Sequence, residues 1–229
     1  MVCLAETGKS LYKNGFSKVD FGDDTKALAK YYFDLANENL STSPRNPNAD
    51  YWPGPNFQKG IIALLQYGYW FTPGAGDDGV NAGKVRMLPA PTWAGVHHNA
   101  TVTATGWVML SQTQVPDAAW RLFEDYMGGQ PAVDRAGSGW GVPALKSLLP
   151  LLPQTTPLQQ QAYRVLNSEL EVMSPLQFNP FLGEGSFYNA WNQHLEEALT
   201  GVITFDELCS KTEADVNGLI QEGVDRIGG

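Results

Sequence analysis

A chain of 229 residues with 43% hydrophobic and 17% charged residues is long enough to bury a sizeable core, as one large domain or two small ones. Its formal charge of −9 argues against nucleic acid and anionic membrane surfaces as partners, because phosphates are recognised by clustered Lys and Arg. No apolar run reaches the length of a membrane span, so direct membrane insertion is not expected. Lys9, Lys13, Asn14 and Lys18 interrupt any signal-like run in residues 1–20. Cys3 and Cys209 are the two cysteines, and their spacing leaves open whether they pair.

Gly8-Lys9-Ser10 has the end of a phosphate loop but not its beginning, since Cys3 stands where a glycine is required. Asp23 or Asp24 is expected to cap a helix from Thr25 to about Asn39, with Leu28, Tyr31, Tyr32 and Leu35 on its apolar face. The Pro- and Asn-rich stretch Ser41 to Pro55 reads as a loop. Ile61 to Leu65, just after Gly60, is a short apolar run with β-branched residues and predicts a buried strand. Tyr67-Gly68-Tyr69-Trp70 follows where that strand would stop. Open α/β sheets place their ligand crevices there, although rings that merely cap a core fit the spacing equally well.

Asp77 and Asp78 lie in a glycine-rich loop without the ordered spacing of a calcium loop, and the adjacent His97 and His98 would diverge on extended chain. No metal is expected at either place. Val85 to Pro89 and Thr101 to Leu110 predict strands, the second containing Gly106-Trp107. Pro116 opens a helix through Met127, with Ala119, Trp120 and Phe123 on its apolar face and Gly128-Gly129 ending it. Gly137 to Pro143 reads as a glycine-rich turn that leaves Trp140 bare unless it packs or binds. Helices are expected over Thr156 to about Leu170 and Phe187 to Thr200, the latter ended by Gly201. Thr204 and Glu207 form a capping box for the last helix.

Several of these stretches resemble family 1 extracellular solute-binding proteins, the maltose-binding-protein-like carbohydrate-binding components of ABC importers. The resemblance rests on Phe57-x-Lys59-Gly60 with the apolar run ending in Gly68-x-Trp70, and on the strand closing in Leu88-Pro89. Further along it rests on Pro116-x-Ala118-Ala119-Trp120 with Phe123, the Gly137–Pro143 segment, and Thr204-x-x-Glu207-Leu208 after a helix and Gly201. It implies an α/β fold of the periplasmic-binding-protein type (type II), with two lobes and a central cleft. Family members are exported and considerably longer, so an N-terminally truncated, C-terminal portion is expected. Residues 1–90 would form a second-lobe segment, 91–149 a first-lobe segment, and 150–229 the second lobe's C-terminal helices. The implied role is to bind a sugar or oligosaccharide outside the membrane and offer it to a membrane permease. No cofactor is implied. The implied location is extracellular or periplasmic, held at the membrane in the parent by a lipid anchor or the permease.

A pyranose offers apolar C–H faces and polar hydroxyl edges, which suit flat rings and polar side chains respectively. The expected ligand set is Trp70, Tyr188, Tyr69, Trp107 and Trp140, with Asn99, Glu184 and Asn189 as polar partners. Trp70 and Tyr188 fall on positions that match the family pattern, whereas an indole at Trp107 departs from the small residues usual there. Trp52, Trp93 and Trp191 are explained as readily by loop exposure and core packing. An alternative is a glycan-active enzyme drawing on Glu169, Glu171, Glu184, Glu196 or Glu197. No Gly-x-Ser-x-Gly elbow or His-Glu-x-x-His helix supports catalysis, so no catalytic residue is expected. A third reading is a folded remnant that binds nothing because half of the cleft is absent.

Overall fold

The computed structural model describes residues 7–47, 52–75, 81–183 and 185–228. Cys3, the acidic pair Asp77–Asp78 and Glu184 lie outside the described residues. The chain divides into two compact units, one of residues 1–49, 90–102 and 172–229, the other of residues 50–89 and 103–171. The expected lobe limits at residues 90 and 149 describe a whole two-lobed receptor and stand as a proposal beside these units.

The first unit is built on its last two helices. Thr204 Oγ1 accepts the Glu207 backbone N–H at 3.2 Å, and the Glu207 carboxylate accepts the Thr204 N–H at 2.7 Å. This is the expected capping box, and it satisfies two donors that a helix start otherwise leaves open. The helix that follows, Phe205–Gly228, packs its fully buried Leu208, Cys209, Thr212, Val216 and Ile220 inward at helical spacing. Burial pushes the Cys209 thiol up to about 11. The preceding helix, Ser186–Leu199, adds Phe187, Ala190, Leu195, Ala198 and Leu199, with Trp191 packed against the same core. His194 ties the two helices through a 2.7 Å contact between Nε2 and Asp215 Oδ2.

The helix Asp23–Asn37 joins this core through Leu28, Ala29 and Ala36. It starts two residues earlier than expected. Gly22 occupies the cap position, so Asp23 and Asp24 are first-turn residues, not caps. There they still favour the helix by opposing its dipole. A short antiparallel pair, Tyr12–Lys13 with Lys18–Val19, closes the unit. Asn217 holds it by accepting the Val19 N–H at 2.7 Å and donating to the Val19 carbonyl at 3.1 Å. The parallel pair Asn99–Val102 with Met173–Pro175 completes the unit.

The second unit is mainly helical. It contains the short helix Gly54–Gln58, the helices Pro116–Gly128, Gln130–Ser138 and Pro157–Glu169, and 3-10 turns at Tyr69–Gly74 and Lys146–Leu151. Thr156 and Gln159 form a second capping box. The helix Gln130–Ser138 goes beyond the sequence expectations, because its start falls directly after the Gly129 that ends the previous helix.

Three strand expectations are corrected here. Ile61–Leu65 forms no strand, and Ile61 and Leu64 are 67% and 82% exposed. Val85–Pro89 forms no strand, and only the start of Thr101–Leu110 lies in one, Asn99–Val102. A strand is stabilised by a neighbour that takes its backbone hydrogen bonds, so apolar pattern alone does not make one. Among the described residues Ile61–Leu65, Val85–Pro89 and the part of Thr101–Leu110 beyond Val102 have no such neighbour.

Candidate functional site

The 3-10 turn Tyr69–Gly74 organises the most distinctive surface of the second unit. Its Phe71 is buried and acts as a hub: Trp52, Tyr67, Trp70 and Phe57 all lie around it, at centroid distances of 5.6, 5.3, 6.0 and 6.4 Å. The turn is pinned locally. Gln58 Nε2 donates to the Gly74 carbonyl at 2.6 Å, and Thr72 Oγ1 donates to the Tyr69 carbonyl at 2.6 Å. Trp70 is left 42% exposed above the hub. Tyr69 is half-buried, and burial together with nearby Tyr163 raises its phenol above the ordinary value.

Trp140 belongs to another segment, whose Gly141 main chain reaches the Trp70 side chain. Its flanking glycines, Gly139 and Gly141, both hold left-handed backbone, at φ +74° and +90°. Only glycine adopts these angles freely, and the double turn projects Trp140 outward at 63% exposure. Gly141 lies against the Trp70 side chain, so close that a Cβ at this position would stand 3.7 Å from Trp70 Cβ. A small open depression beside it is lined by Tyr69, Thr72, Pro73, Ser138, Gly139, Pro153 and Gln159.

Trp107, also in the second unit, is engaged with other partners. Trp107 stacks on Tyr126 at 4.1 Å, and the Arg135 guanidinium sits over that tyrosine at 4.3 Å. One face of Trp107 is therefore already covered. In the first unit Asn99 is 7% exposed within its strand, and its carboxamide oxygen accepts the Thr101 hydroxyl. Tyr188 and Asn189 are exposed neighbours at the start of Ser186–Leu199, with Tyr188 66% exposed. The carboxylates available for acid–base work are scattered: Glu169 is buried on Pro157–Glu169, and Glu197 is engaged by Lys211 at 3.1 Å. Among the described residues, no group of three or more His, Cys, Asp or Glu is placed to hold a metal ion. His98 is instead within 3.0 Å of the Ser174 hydroxyl.

Two residues of the aromatic surface lie outside the expected ligand set. Trp52 reads from sequence as a loop residue, and Tyr67 as part of a strand end. The signal available was their alternation with glycine, at Gly54 and Gly68.

No protein-family model and no curated protein sequence matches the chain. Solved structures do. The chain is similar to a crystal structure of "a putative oligosaccharide periplasmic-binding protein" from Synechococcus sp. MITs9220, with a TM-score of 0.64, 18% identity and 98% of this chain covered. It is also similar to that protein's structure in complex with zinc, with a TM-score of 0.66, 17% identity and 96% covered. The fold is that of a periplasmic-binding protein. The chain spans 58% and 57% of the length of these two structures. The binding-protein fold thus agrees with the α/β architecture implied by the sequence motifs.

Proposed function

We propose that this chain belongs to a carbohydrate receptor that works outside the membrane as the solute-binding component of an ABC importer. It would take up a sugar or oligosaccharide and pass it to a membrane permease. The observation that carries the reading is the Phe71-centred aromatic surface with Trp70 exposed on it, in a chain with the binding-protein fold. Core aromatics bury their faces. Rings left open on a rigid base are what the C–H face of a pyranose stacks on. Hydroxyl edges would be met by polar groups near Trp140, in the depression bounded by Ser138 and Gln159. Such a receptor holds its ligand by hinge closure and performs no covalent step.

The names of the structural neighbours, which specify an oligosaccharide, support this substrate class. Among the described residues no helix is long and apolar enough to cross a membrane, and in this reading the permease supplies the membrane passage. The test is titration calorimetry of the full 229-residue chain against a panel of neutral mono- and oligosaccharides, with chromatography of the recovered sugars. Saturable binding with every sugar recovered intact is expected. Cleavage of any panel member would replace the receptor reading with a glycan-active enzyme, and failure to bind the whole panel would leave the folded-remnant reading.

A further inference from the structure

We infer that Trp52 and Tyr67 extend the Trp70 surface into a platform for at least two consecutive pyranose rings, which makes an oligosaccharide the preferred ligand. The inference rests on the carbohydrate reading above and adds to it the residues that set ligand length.

Three rings share one exposed surface over the Phe71 hub. Trp52 and Tyr67 are each 37% exposed, close to the 42% of Trp70, while Phe71 beneath them is 7% exposed. Trp52 and Tyr67 lie nearly parallel, at 20° and 6.0 Å between centroids. Tyr67 contacts Trp70 at 4.8 Å, and Trp52 stands 6.4 Å from Trp70 with their planes 39° apart. One pyranose covers about one aromatic ring, so stacking on both indoles takes a second sugar. The tilt between the indoles makes the platform curved.

The two indoles are also seated. A Cβ on Gly54 would lie 1.9 Å from the Trp52 ring, and a Cβ on Gly68 would lie 2.3 Å from Trp70 Nε1. Each indole therefore occupies space that only a glycine leaves free, and lies directly against main chain. A ring held in this way loses less conformational entropy when a ligand arrives. This chain builds the arrangement twice within 19 residues, from Trp52 to Trp70.

The test is calorimetry of the full chain with glucose and with the maltose and cellobiose ladders up to six units. It is run on the parent and on Trp52→Ala, Trp52→Phe, Tyr67→Ala and Gly54→Ala, with far-UV circular dichroism confirming that each variant is folded. The parent should gain about tenfold in affinity on going from one sugar unit to two or three, the size of one good aromatic contact. Trp52→Ala should lose that gain and flatten the ladder, Gly54→Ala should do the same by displacing the indole, and Trp52→Phe should keep most of it. Folded Trp52→Ala and Tyr67→Ala variants that keep the parent's ladder would overturn this inference and leave the carbohydrate reading standing. Failure of the parent to bind any of these sugars would overturn both.

Discussion

Glu207 shows how much a single exposed side chain can do. The Thr204 backbone N–H, the largest influence, and the Thr204 hydroxyl both donate to its carboxylate and hold it below its ordinary value of 4.5. A carboxylate with a depressed folded-state value contributes stability that is present above its unfolded value. That contribution is lost as pH falls through the folded value. The parent should therefore lose melting temperature more steeply below about pH 4.5 than Glu207→Gln, as read by thermal unfolding at a series of pH values. Thr204→Ala removes the other half of the box and should cost about 1 kcal/mol near neutral pH. At the same scale the exposure of Trp140 was legible from sequence, because the glycines on both sides of it, Gly139 and Gly141, announce an unusual backbone. The surroundings of Asn99 were not legible. A polar residue beside a predicted crossing looks like a ligand contact, yet it is buried in a strand and engaged with Thr101.

Helices and strands were not equally legible, and the reason is physical. The expected helices Pro116–Gly128, Pro157–Glu169 and Ser186–Leu199 appear within a residue or two of their expected limits, and Phe205–Gly228 starts at its expected capping box. A helix makes its hydrogen bonds within its own segment, so period and caps suffice to define it. Ile61–Leu65 carries an equally clear apolar pattern, but a strand depends on a partner elsewhere in the fold, and pattern says nothing about that partner. Among the helices, Phe205–Gly228 matters most to the first unit, since Leu208, Val216 and Ile220 are all fully buried along it. Leu208→Ala leaves a cavity between it and Ser186–Leu199 and should destabilise the chain by about 2–5 kcal/mol in urea unfolding. An equivalent change at Leu64, which is 82% exposed, should have an effect within about 0.5 kcal/mol.

For the molecule as a whole, the binding-protein fold was legible from a handful of motifs, and the exposed aromatic surface only in part. The motifs located Trp70 and the turn around it. They did not reveal that Trp52, Tyr67 and Trp70 converge over Phe71, because ring contacts between separate stretches leave no mark in local spacing. The proposed carbohydrate role depends on those exposed rings meeting sugar. The chain has seven tryptophans, each with one indole N–H, so a nitrogen-correlated NMR spectrum reports them separately once each is assigned by a Trp→Phe variant. On titration with a maltose or cellobiose oligosaccharide, the Trp70 and Trp52 signals should shift in a saturable way. Trp191, packed against the core of the first unit, should stay in place. Saturable binding with the Trp70 and Trp52 signals unmoved would contradict the account.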